Sequence, residues 1–150
     1  MIKEILATMP VEVKRVYEPI ERKDGTRVLV DRLWPRGLKK AESGVHEWLR
    51  DLAPSDDLRK WFHAQPERWQ QFRKRYLKEL AGPEAQADLQ QLYGLAHKKR
   101  RLTLLYSSRN VEHNNALVLK DLLDGARKPP TGTGPGAIRA ARNRAVMRRR

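Results

Sequence analysis

Three arginines in this chain stand where guanidinium chemistry would matter. Arg32 and Arg36 bracket an aromatic turn in the string Asp31-Arg32-Leu33-Trp34-Pro35-Arg36-Gly37, and Arg109 follows Ser107 and Ser108. A guanidinium offers a planar fork of N–H donors that fits phosphate or carboxylate bidentately. If the three converge, they form a site for a phosphate-containing or other anionic small ligand. The competing reading pairs Arg32 with Asp31 or a nearby glutamate and leaves Arg109 lining the surface. Trp34, carried between two arginines, could stack on a base or ring, or could cap the core. Asp31 could serve as a general base or could orient an arginine, and the second is favoured because an unpaired buried carboxylate is costly. His113 is placed in the first turn of the last helix, whose dipole disfavours the imidazolium; the neutral ring suits a base as well as a hydrogen-bonded cap. Asn114 and Asn115 could contact a ligand or satisfy the helix entrance. The candidate catalytic residues are therefore His113 and Asp31, the candidate ligand residues Arg32, Trp34, Arg36, Arg109 and Asn114, and whether a reaction follows binding stays open.

Other chemistries are excluded or weakly signalled. The chain has no cysteine, which removes disulfides, thiolate zinc sites and cysteine nucleophiles. Ser107 and Ser108 lack the Gly-x-Ser-x-Gly elbow of a hydrolase nucleophile. His46, His63, His97 and His113 share no metal-ligand spacing, so no metal and no cofactor is expected. No stretch approaches the ~18 apolar residues of a membrane span, and residues 1–10 lack a signal-peptide core. Cytoplasmic residence without membrane association is the expectation.

The formal charge of +14 is unevenly spread. Residues 126–150 hold eight basic and no acidic side chains, which accounts for +8 and leaves +6 for residues 1–125. Such an arm favours nucleic acid through counterion release, or it is simply a solvated extension; both readings stand.

These residues need elements to position them. Val11, Val13, Val16 and Tyr17 suggest a first strand; Val28, Leu29 and Val30 suggest a second, buried one that ends at Asp31. Pro19 and Asp24-Gly25 mark turns between them, and the pairing of the two strands stays open. Ser43 is expected to cap a short helix with Val45, Trp48, Leu49 and Leu52 on one face, and Ser55 a second with Leu58, Trp61 and Phe62 inward. Pro66 opens a longer helix carrying Trp69, Phe72, Tyr76 and Leu80, which Gly82-Pro83 stops. Ala85, Leu89, Leu92 and Ala96 define the next, which basic residues 98–101 close. Residues 102–106 form the clearest strand, and the polar loop 107–110 opens a last, largely buried helix that ends at Gly125. Both polar strings thus follow strands, where ligand crevices of parallel sheets lie.

The expected fold is α/β: a small, three-layer-like domain with a short, mostly parallel sheet and about five helices over residues 1–125. Residues 126–150 are expected to be a Pro/Gly linker and a disordered basic tail. The string from Val28 to Gly37, Leu58-Arg59-Lys60-Trp61-Phe62-His63, and Thr103-Leu104-Leu105-Tyr106-Ser107-Ser108-Arg109 running into His113-Asn114-Asn115-Ala116 together resemble the YeaO-like branch of the DUF488 family. The resemblance spans about residues 12–125 and implies a small α/β fold and no particular reaction. Other branches of that family carry a cysteine and a Cys-His-Arg string near the positions of Tyr106 and His113-Asn114-Asn115, so thiol chemistry there cannot operate in this chain. The basic tail lies outside the family pattern. Two functions follow: an anion- or nucleotide-binding crevice at the strand ends, with or without catalysis, or a nucleic-acid-associated protein acting through tail and core charge. A plain interaction module is a third.

Overall fold

A computed structural model describes residues 11–98 and 101–125. Four strands, β1 (Val11–Arg15), β2 (Thr26–Leu29), β3 (Glu47–Trp48) and β4 (Leu102–Tyr106), form one sheet in the order β1-β4-β2-β3, and every pairing is parallel. The described residues include four α-helices: α1 (Asp56–Ala64), α2 (Trp69–Leu80), α3 (Gln86–Ala96) and α4 (Asn115–Gly125). The architecture is the expected α/β one, with four helices in place of about five. The expectations for residues 1–10, for 99–100 and for the tail from 126 lie outside the described residues.

Period-2 alternation divides the sheet into two faces. Val28, Val30, Leu102, Leu104 and Tyr106 join the helical residues Leu58, Phe72, Tyr76, Leu80, Leu89, Leu92, Val118 and Leu119 in the main core. Val16, Leu29 and Leu105 point to the other face, where Trp34, Leu38, Val45 and Trp48 cover them. That second face is roofed by loops. Residues 16–25 return from the end of β1 to the start of β2 without an α-helix, crossing β4 on the way. This arrangement settles the open pairing: β1 and β2 are parallel, with β4 inserted between them.

The crossover carries a charged cluster into the protein. Asp24 and Arg27 are 3% and 1% exposed. The Asp24 carboxylate accepts from the Arg27 guanidinium, from Lys14 Nζ at 3.0 and 3.1 Å, and from the Glu21 amide at 3.0 Å. Arg27 also donates to the Gly44 carbonyl, and Thr103 Oγ1 donates to the Asp24 carbonyl. Burial opposes ionisation of Asp24, but the Glu21 amide, Lys14 and Arg27 together hold its carboxyl below the ordinary value. Gly25 closes the turn at φ 67°, and a Cβ there would lie 2.2 Å from the Arg101 carbonyl oxygen, so only glycine fits.

The segment after Ser43 is not the expected helix. Ser43 Oγ donates to the Lys40 carbonyl and accepts from the Val45 amide, forming a turn, and Gly44 adopts φ 68°. Residues 47–48 then pair with β2 as an edge strand, placing Trp48 over one face and Leu49 in the core of the other. The three-and-four spacing that suggested a helix is produced by a strand flanked by short 3-10 turns. The Arg27 hydrogen bond to Gly44, invisible to local propensity, favours the extended form. The long helix likewise starts at Trp69 and not at Pro66, whereas Ser55 does cap α1, its hydroxyl accepting from the Leu58 amide.

Candidate functional site

The chain leaves β2 toward β3 and leaves β4 toward α4, which packs on β1 and β4. The carboxyl ends of the adjacent strands β2 and β4 are thus a topological switch point, where open α/β sheets form crevices. Asp31 and Ser107 meet there. The Asp31 carboxylate accepts from the Ser107 amide and hydroxyl, both at 2.9 Å, and from Asn115 Nδ2 at 3.3 Å. Asn115 also donates to the Val30 carbonyl, and the Asp31 carbonyl accepts from the Trp48 indole N–H. Behind this group the buried Tyr76 donates its hydroxyl to the Leu52 carbonyl. Asp31 therefore orients a serine and an asparagine, not an arginine.

Burial pushes the Asp31 carboxyl above its ordinary value of 3.8, only partly offset by the Ser107 and Asn115 donors and the charge of Arg59. Between pH 3.8 and the raised value the folded protein holds a proton that the unfolded chain releases, so Asp31 lowers stability as pH rises through that window. Asp31→Asn is expected to remove this slope. Urea unfolding of both proteins from pH 3 to 8 checks it: the stability of the natural chain relative to the variant should fall with pH, and a flat difference would reject the raised value.

His113 does not join Asp31. It lies before α4 and not in the first turn, its amide held by Asn110 Oδ1, and its ring stacks on Trp69 at 4.6 Å and 15°. Among the described residues no hydrogen bond connects that ring to a hydroxyl or carboxylate. Asn114 is buried and caps α4: its Oδ1 accepts from the Leu117 amide and its Nδ2 donates to the Asn110 carbonyl. Trp34 packs edge-on against Trp48 at 5.3 Å and donates its indole N–H to the Leu38 carbonyl. Arg32 turns away to the Ala53 carbonyl, with Asp51 at 3.9 Å, on the wall of a cleft of about 680 Å3 that Lys78, Glu79 and Glu84 also line.

Arg36 and Arg109 fare differently. Both are exposed, and among the described residues neither guanidinium has a carboxylate partner. Their loops are stitched to the end of β1 by two residues that the sequence reading did not single out for a site. Tyr17 donates its hydroxyl to the Arg36 carbonyl at 2.9 Å, and Arg15 donates to the Ser108 and Ser107 carbonyls at 2.8 and 2.9 Å. The Arg15 guanidinium lies over the Tyr17 ring, 5.1 Å from its centroid. The only sequence signal was an arginine and an aromatic two residues apart at a strand's carboxyl end. Together these contacts make one rim from the loops after β1, β2 and β4.

A family model described as the inactive DUF488-N3 subclade matches residues 10–134. The chain is 49% identical over 115 residues to the uncharacterized protein YeaO of Escherichia coli (strain K12), covering 77% of this chain and 97% of that protein. It is 45% identical over 115 residues to the uncharacterized protein Rv3073c of Mycobacterium tuberculosis (strain ATCC 25618 / H37Rv), covering 77% and 94%. No solved structure matches the chain significantly.

Proposed function

This chain belongs to the DUF488 family, in its inactive N3 subclade, and from that premise we propose that it binds a phosphate-bearing ligand on the rim of its sheet without transforming it. The observation that carries the reading is the pair of exposed guanidiniums, Arg36 and Arg109, on loops tied to one another through Tyr17 and Arg15. Pinned loops lose little freedom on binding, and forked cations match phosphate. A binding role without chemistry is supported by the state of the catalytic candidates. The Asp31 carboxylate is committed to Ser107 and Asn115, and the His113 ring to Trp69. The proposal places this activity in the cytoplasm, in keeping with a chain without cysteine, and in residues 1–125.

The test is a nitrogen-15 NMR titration of the full chain with inorganic phosphate and pyrophosphate. Amides of residues 15–18, 32–34, 36–37 and 107–110 are expected to shift. Arg36→Ala and Arg109→Ala should each weaken binding about tenfold, the equivalent of one charge-assisted hydrogen bond of about 1.4 kcal/mol. Unchanged affinity in both variants would reject the rim. A second reading, nucleic-acid binding through the tail, is favoured by the +8 of residues 126–150. It requires an affinity that falls steeply with salt and disappears when the eight tail cations become glutamine.

A further inference from the structure

We propose that the rim's phosphate-bearing ligand is a nucleotide unit and that Tyr17 is the platform on which its base stacks; this rests on the reading of the rim just given. Tyr17 is 45% exposed, and its ring is held from two sides. Its hydroxyl is fixed on the Arg36 carbonyl, and the Arg15 guanidinium, itself anchored on Ser107 and Ser108, occupies one face. A tyrosine filling the core would be buried, and an ordinary surface tyrosine would not be clamped at both ring and hydroxyl. The clamp leaves an exposed, pre-oriented aromatic surface on the rim whose loops carry Arg36 and Arg109, neither of which has a carboxylate partner among the described residues. The other large apolar side chains exposed at this end of the sheet, Leu33 at 67% and Val111 at 58%, sit on the loops after β2 and β4 that carry Arg36 and Arg109. A flat apolar group joined to an anion is what this combination recognises, and a nucleotide has that shape. Trp34, the aromatic that the sequence offers first, is spent on Trp48 and Leu38. Of the carboxylates on the rim, Glu18 folds back to accept from the Arg15 amide, and Glu112 stands exposed beside Val111.

The shared chemistry, a base next to a phosphate, occurs in free nucleotides and in single strands, and the experiment separates the two. The full chain is titrated with inorganic phosphate, adenosine monophosphate and a single-stranded hexa-adenylate, following the Tyr17 ring protons by NMR. Stacking contributes about 1–3 kcal/mol per base, so the mononucleotide should bind about tenfold or more tighter than phosphate and shift the Tyr17 ring signals upfield. Tyr17→Phe and Tyr17→Leu both lose the hydroxyl that pins the Arg36 loop and should weaken phosphate alike; Tyr17→Phe, which keeps the ring, should retain most of the mononucleotide's advantage over phosphate, and Tyr17→Leu should abolish it. With the tail cations replaced by glutamine, a hexamer tighter than the monomer assigns a strand, and equal affinity assigns a free nucleotide. If phosphate binds the rim but the mononucleotide binds no tighter, or if Tyr17→Leu weakens both equally, the base platform is overturned and the anion rim survives. If neither binds, both readings fall.

Discussion

Asp24→Ala is expected to destabilise the protein by about 3–5 kcal/mol, the range for removing one partner of a buried ion pair. The variant strips Arg27, 1% exposed, of its carboxylate and leaves Lys14 beside it, with only the Glu21 carboxylate, 3.1 Å from Lys14 Nζ, as a counterion for the two cations. It also removes the acceptor of the Glu21 amide, so the turn into β2 loses a bond as well as a charge. Urea unfolding at neutral pH reads the loss directly. Because the Asp24 carboxyl sits below its ordinary value, its contribution is complete above pH 3.8 and fades only as pH falls through the folded-state value. The gap between natural chain and variant should therefore hold from pH 5 to 8 and narrow in strong acid. Combining Asp24→Ala with Arg27→Met removes the orphaned charge, and the double variant should recover a good part of the loss. A loss in the double variant equal to the sum of the losses in Asp24→Ala and Arg27→Met alone would mean that the pair is not coupled.

This cluster also marks where the sequence stops being legible. Residues 102–106 and 28–30 declare themselves as buried strands because a parallel strand covered on both faces reads as a continuous apolar run. Asp24 reads as a turn residue beside Gly25, since local composition cannot say that a loop will cross the sheet and fold it under against Arg27. The two-residue β3 gives no period of its own; its partner β2 and the Arg27 bond to Gly44 determine it. At the rim the same limit applies. Asp31 and the 107–115 string were visible as polar segments at strand ends, because chemistry-bearing residues there interrupt otherwise apolar patterns. The partner of Asp31, the outward turn of Arg32, the packing of Trp34 and the clamp on Tyr17 all depend on which strands are neighbours. Strand order was the quantity that no local pattern contained.

The consequence of that neighbour relation is sharpest at Asn115. Asn115→Leu keeps the branched shape of the side chain without its polar atoms and is expected to cost about 2–4 kcal/mol, since it leaves the buried Val30 carbonyl and the partly buried Asp31 carboxylate each short of one donor. The loss should depend on pH. Burial already raises the Asp31 carboxyl, and Asn115 is one of the donors that restrain it; without that donor the folded-state value must rise further. Ionising Asp31 then penalises the variant more than the natural chain, so the destabilisation should be smaller near pH 4 and grow as pH rises through the Asp31 titration. Carbon-13 NMR of the Asp31 carboxyl follows the titration while unfolding follows the stability, and the two must move together. Asp31→Asn in the same background should remove the pH dependence while leaving the loss at Val30. If Asn115→Leu instead destabilised equally at all pH values, Asn115 would act as a packing residue alone, and the switch point would be held by Ser107. The coupling of one asparagine to a carboxylate 84 positions away in the chain is what ties the start of α4 to the end of β2, and through Ser107 it sets the loop on which Arg109 is displayed.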